Sequence, residues 1–145
     1  MSPTVICQEM TADTGERRPV SPTRPLPVYN NTPAGGGLGL SFYSNTALAG
    51  TKAVVKASAA TLSGLSIGNP NGSIGYVQVF NKLTAGVTVG TTAPDLVFTL
   101  PASGTLNLSF PTGIEFDTGI VVAATTTVSG ATGVSTGLVV ALFYK

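Results

Sequence analysis

From residue 40 to the C-terminus, apolar and polar positions alternate. Leu106, Leu108 and Phe110 are apolar, with Asn107 and Ser109 between them. Leu96, Phe98 and Leu100 repeat the spacing with Thr99 facing the other way, and Leu138, Val140, Leu142 and Tyr144 form a third set. An apolar period of two, bounded by Gly, Pro, Asn and Ser, is the pattern of half-buried strands. It predicts strands over 40–45, 51–58, 60–67, 73–81, 86–90, 95–100, 104–110, 114–116, 119–128 and 136–144. The breaks are turn formers: Asn69-Pro70-Asn71-Gly72, Pro94-Asp95, Pro101-Ala102-Ser103-Gly104, Pro111-Thr112-Gly113 and Ser129-Gly130. No segment carries a capped 3.6-residue period. Short strands at this spacing predict an all-β fold, an antiparallel β-sandwich or jelly-roll-like domain.

The first 39 residues follow a different rule. Pro3, Pro19, Pro22, Pro25 and Pro27 punctuate them, and Arg17-Arg18-Pro19 opens the densest run. Proline fixes φ, lacks a backbone donor and drives the preceding residue to an extended conformation. The run predicts a polyproline-like arm rather than a helix or an inner strand. It leads into Asn30-Asn31-Thr32-Pro33-Ala34-Gly35-Gly36-Gly37, a flexible hinge. The chain therefore divides into an extended Pro-rich arm and Gly-rich hinge over 1–39 and a β-sandwich over 40–145.

Composition sharpens this picture. Charged residues make up only 9% of the chain and the net charge is +1, where soluble domains average about 25% charged. The neutral surplus is Thr, Ser, Gly and Ala rather than large apolar residues. That balance predicts a surface mostly covered by partners, and it gives no electrostatic case for nucleic acid. Six of the charges, Glu9, Asp13, Glu16, Arg17, Arg18 and Arg24, fall in the arm. Beyond the arm the lysines that blunt exposed sheet edges are only Lys52, Lys56, Lys82 and Lys145. The predicted core draws on few large side chains, among them Phe42, Tyr43, Phe80 and Phe143, so self-association is expected to supply part of the stability. The single cysteine, Cys7, excludes an internal disulfide framework. No signal peptide is visible, and no apolar stretch approaches the ~20 residues of a membrane helix. A soluble protein made in the cytoplasm is expected.

Candidate chemistry is sparse. Asp13-Thr14-Gly15 and Asp117-Thr118-Gly119 each match the triplet that carries the catalytic carboxylate of aspartic proteases. Such an enzyme needs two carboxylates sharing one proton on loops that leave buried strands. Asp117 has apolar neighbours on both sides, but Asp13 lies in a polar stretch that ends in the proline arm. Asp and Gly around a Thr also suit a tight turn, and the turn is the better reading, with an Asp117 protease as the remote alternative. Gly64-Leu65-Ser66-Ile67-Gly68 matches the G-x-S-x-G elbow of serine hydrolases, yet the chain has no His to take the proton. The same lack, with one Cys, removes His-dependent zinc sites. Glu115 and Asp117 would share a strand face and read as solvated carboxylates rather than a Ca²⁺ site. The sequons at Asn71 and Asn107 carry no meaning without secretion. No catalytic residue, cofactor site or metal site is expected, so binding and architecture remain.

Three stretches together carry a resemblance. They are Gly75-Tyr76-Val77-Gln78-Val79-Phe80-Asn81-Lys82, the long run from Val87 to Thr127, and the terminal Leu138–Lys145. A strand ending in F-N-K, a V-G-T-x-x-P turn, a P-x-G-x-x-x-x-L-x-F strand pair and a G-I-x-F-x-T-G-I segment are similar to small structural proteins of tailed bacteriophage virions. The P-L-P-V of residues 25–28 is similar to the pre-domain arm of such proteins. The likeness covers roughly residues 50 to 145 and the arm more loosely, and its motifs are structural rather than catalytic.

The resemblance implies a β-sandwich displayed on a virion assembled in the host cytoplasm, often as a homotrimer. It points first to a capsid decoration (cement) protein that binds the major capsid protein through its arm. The arm contacts expected are Arg17, Arg18, Arg24, Leu26, Val28 and Tyr29. The alternative is a tail, neck, collar or fibre attachment piece, which would touch host glycans through aromatics such as Tyr43 or Tyr76. Neither nucleic acid nor membrane is an expected partner. Reach favours an arm: about 33 extended residues span on the order of 100 Å at ~3.3 Å each, against a radius of gyration near ~13 Å for the folded part.

Overall fold

The computed structural model describes residues 39–145 in full, together with the backbone of Gln8–Met10 and Arg17–Pro19. Gln8–Met10 (β1) pairs antiparallel with Arg17–Pro19 (β2), matching Glu9 to Arg18. Both short strands lie within the segment that the sequence reads as an extended arm. Arg24, Leu26, Val28 and Tyr29 lie outside the described residues, as do Cys7, the Asp13-Thr14-Gly15 triplet and the side chains of Arg17 and Arg18.

Eight strands build the domain: β3 (Ser41–Leu48), β4 (Ala53–Lys56), β5 (Ala60–Gly68), β6 (Gly75–Asn81), β7 (Leu96–Leu100), β8 (Thr105–Phe116), β9 (Ile120–Thr125) and β10 (Leu138–Tyr144). They form two four-stranded antiparallel sheets, ordered β3-β10-β5-β8 and β4-β9-β6-β7. The pairs β3·β10, β4·β9, β5·β8 and β6·β7 are nested, as in one long hairpin with its tip between β6 and β7. The further pairs β5·β10 and β6·β9 close that hairpin on itself. This is the strand order of an eight-stranded jelly roll.

Alternation places the core. Leu62, Leu65 and Ile67 of β5 and Leu138, Val140 and Leu142 of β10 face Val77 and Val79 of β6 and Ile120, Val122 and Ala124 of β9, all buried. Phe98 and Phe110 meet across the sheets at the β7/β8 side, ring centroids 6.4 Å apart, within the range of favourable aromatic pairs. Two residues expected in the core lie outside it. Phe42 is 70% exposed and Phe143 is 40% exposed. Their neighbours Tyr43, Leu142 and Tyr144 take the inward positions, so a period of two turns both phenylalanines outward.

Two predicted elements differ from the structure. The strand expected over 86–90 is a short 3₁₀ turn at Thr84–Gly86 followed by irregular chain. Val87 and Val89 alternate because they pack down on the sheet below, not because they pair with a strand. The two strands expected over 104–110 and 114–116 are one, β8. Leu62 pairs with Ile114 and Gly64 with Ser109, so Phe110-Pro111-Thr112-Gly113 bulge out opposite Ser63. Gly113 takes φ +75° there, a left-handed conformation that a side chain disfavours.

The two sheet exteriors are unlike. That of β4-β9-β6-β7 is roofed by the connection from β6 to β7, which buries Phe80, Val87, Val121 and Ala123 in a second small cluster. Lys52 pins that roof by donating from Nζ to the carbonyls of Thr84, at 2.7 Å, and Val87. The β9–β10 connection covers Gln78, whose Nε2 donates to Thr125 Oγ1 at 2.9 Å and to the Gly130 carbonyl at 3.0 Å, while Val54 of β4 and Thr99 of β7 stay exposed. No such segment crosses the exterior of β3-β10-β5-β8 among the described residues.

Candidate functional site

The enzyme-like motifs resolve into architecture. Asp117 and Thr118 form the turn that carries the chain from β8 to β9, and both are exposed. Thr118 N donates to Asn81 Oδ1 at 3.0 Å, and Asn81 N donates to Asp95 Oδ2 at 2.7 Å, tying this turn to the β6–β7 connection. Gly119 is buried, and a Cβ on it would stand 2.9 Å from the Lys56 carbonyl and 3.2 Å from that of Lys82. The glycine of the triplet is there because two backbones approach closely. Ser66 of the hydrolase-like motif lies in the middle of β5, exposed on a regular strand, where no strand-to-helix elbow exists. Glu115 is exposed within β8 and is separated from Asp117 by buried Phe116. Among the described residues no three His, Cys, Asp or Glu side chains gather as a metal site. No described helix is long and apolar enough to cross a membrane.

The aromatics proposed for glycan contact are placed differently. Tyr43 packs against the core, and its hydroxyl accepts a hydrogen bond from Asn45 Nδ2 at 3.1 Å. Tyr76 is half-buried on the roofed sheet. The open aromatics are Phe42 and Phe143, which the sequence reading had assigned to the core.

These two residues belong to the feature that stands out, the bare exterior of β3-β10-β5-β8. Register sets its rows. Phe42, Phe143, Gly64 and Ser109 form one row, and Ser44, Ala141, Ser66 and Asn107 form the next. A third contains Val139, Gly68 and Thr105, with Thr46 on the β3 side. No residue in the three rows is charged; Glu115 lies beyond the bulge. Read along the strands, the β5 column is Gly64, Ser66 and Gly68, small residues throughout. It forms a trough between the β10 column of Val139, Ala141 and Phe143 and the β8 column of Thr105, Asn107 and Ser109.

At the Gly68 end the trough opens into a depression of about 230 Å³ lined by Gly68, Asn69, Pro70, Ser103, Gly104, Thr105 and Val139. No lining residue is ionisable. Small-molecule sites run to ~300–1,000 Å³, so this one is the size of a single inserted side chain. Its walls are rigid. Asn69 is buried and donates from Nδ2 to the Ser73 and Pro101 carbonyls, both at 2.9 Å. Asn69 Oδ1 accepts from both the backbone and the side chain of Asn71.

The four sheet edges also differ. β4 is four residues long, ends in Lys56 and is preceded by Lys52. β7 is five residues long and lies between Pro94 and Pro101. β8 carries Pro111 and its bulge. Shortness, lysine, proline and bulges are the devices that stop strand edges from pairing with other chains. β3, Ser41–Leu48, has no proline or lysine, and its one irregularity is a bulge between Asn45 and Leu48.

No sequence signal short of the register could have assembled this face, because its rows draw on four strands far apart in the chain. Comparison with known protein families, curated proteins and solved structures finds no match to this chain.

Proposed function

We propose that this chain is a non-enzymatic structural protein of a tailed bacteriophage virion, and within it a capsid decoration (cement) protein. The reading rests on one observation: among the described residues, three rows of one sheet exterior are uncharged and unroofed while much of the opposite exterior is covered. Burying a bare neutral face against another protein incurs no charge desolvation, and exposed Phe42, Val139 and Phe143 give it the apolar contacts of an interaction site. The Pro-rich N-terminal segment joins the domain at β3, the edge strand of that same sheet. In this reading the domain associates with its own copies as a trimer, and Arg17, Arg18, Arg24, Leu26, Val28 and Tyr29 hold the major capsid protein. Its role is mechanical: it staples shell subunits against internal pressure, with no cofactor and no nucleic acid involved.

Copy number tests the placement. A decoration protein occupies the repeating sites of the shell lattice, so gel densitometry of purified virions should find it in a constant ratio to the major capsid protein. A small fixed number per particle would move the protein to the tail, neck or fibre.

A further inference from the structure

We infer that copies of this chain associate by seating Phe42 of one copy in the depression at the Gly68 end of the β5 trough of another. This contact stands apart from the virion reading and would hold for any assembly the protein enters.

Phe42 is the most exposed of the large apolar side chains in the domain, at 70%, and it projects from the outermost strand of the bare sheet. The depression lies at the opposite corner of the same face, where Gly68 and Gly104 supply no side chain and Pro70 and Val139 supply apolar walls. One corner of the face is a knob and the other is a socket of one-side-chain size. A surface projection complementary to a pocket elsewhere on the same molecule is the geometry that joins copies.

Charge and size agree. The three rows between knob and socket carry no charge, so two such faces meet without repulsion and without stranding an ion. Four strands at ~4.8 Å and about seven residues at ~3.3 Å give a face on the order of 400 Å² in outline. A stable interface buries about 800 Å² per partner, so the bare face is half of one. The Ser41–Asn45 stretch of β3, regular and free of lysine and proline, carries Phe42 and supplies the adjoining contact. A shell protein or a peptide would need a projecting side chain of its own; a second copy already has one at the right edge. Two copies can exchange the contact across a two-fold axis, or three can pass it round a ring.

The full-length protein provides the test, with molar mass read by light scattering. Phe42→Asp removes the knob and leaves the socket. Gly68→Trp fills the socket and leaves the knob; a Cβ at Gly68 meets only the Val139 Cβ, at 3.9 Å, an ordinary contact. Thr105→Trp fills the same socket from β8 and serves if the glycine variant does not fold. Wild type is expected as a dimer or trimer of its 14.5 kDa chain, and each variant alone as a folded monomer. Mixing the knob-less and socket-filled monomers should restore a species of two chains, because one intact knob then faces one intact socket. The control Leu83→Asp, an exposed apolar position away from this face, should assemble as wild type does. A monomeric wild type would overturn the inference, as would variants that assemble normally or folded variant monomers that fail to combine.

Discussion

Removal of residues 1–33 is expected to abolish attachment to phage shells while leaving the assembled domain intact. Every strand pair of the jelly roll lies between Ser41 and Tyr144, so the deletion takes nothing from either sheet. What it removes is reach. Beyond the β1–β2 ladder about 20 residues precede β3; extended, they would span several domain radii and could carry the ladder along neighbouring subunits or onto a strand edge of the shell. Each such contact is weakened by the conformational freedom lost when a segment orders on binding. Several arms on one oligomer recover affinity through effective concentration, a gain of ~10²–10⁴. The truncated protein should therefore bind at least ~10²-fold more weakly by the same multivalent arithmetic, read by cosedimentation with purified shells. Equal decoration by intact and truncated protein would end the arm reading.

Asn71→Ala is expected to be the most damaging polar substitution in the domain. Its side chain is buried and joins two connections, the β5–β6 turn and the β9–β10 segment, at the socket end of the jelly roll. Nδ2 donates to Asn69 Oδ1 at 2.9 Å and to the Thr136 carbonyl at 2.7 Å. Oδ1 accepts from Ser135 Oγ and from Thr136 N, both at 2.8 Å. Alanine deletes all four bonds and strips the β9–β10 connection of its anchor to the β5–β6 turn. Unmade hydrogen bonds at a buried site cost ~1–3 kcal/mol each when no replacement forms. Water reaches the exposed Thr136 backbone and softens the loss, leaving about 2 kcal/mol in total by the same scale. For a domain of this size that lowers Tm by on the order of 10 °C. The second sequon supplies the comparison: Asn107 is exposed on β8, and Asn107→Ala should change stability by no more than ~0.5 kcal/mol. Equal melting of the two variants would show that the network does not hold the loops together.

The strands were legible because alternation is a local signal, and the inward set Leu138, Val140, Leu142 and Tyr144 lies where the period puts it. Their order was not legible, since nesting β3 with β10 and β4 with β9 is decided by contacts between opposite ends of the domain. The sequence also hides what covers an exterior. Gln78, between Val77 and Val79, should face water by alternation, and it does point outward. The β9–β10 connection then buries it, leaving its Oε1 without a partner. Val87 and Val89 mislead for the matching reason: a roof segment has the same period as the strands it covers. Pro111-Thr112-Gly113 looks like a turn because turns and bulges need the same residues, a fixed φ and a positive φ.

The candidate face was the least legible part. Low charge predicted a covered surface without saying which. Only register gathers Gly64, Ser66 and Gly68 into a trough beside Phe143, and only the roofing of the other sheet singles this one out. Phe42 shows the limit plainly, since its size argues for a core position and its parity places it outside.

We propose that this jelly roll works by being held between neighbouring proteins on a phage particle. Imaging of purified virions carrying the labelled full-length protein tests it directly. Density repeating over the capsid lattice, with the domain outside and the N-terminal segment running onto the shell, is the predicted result. Label absent from the virion altogether would contradict it.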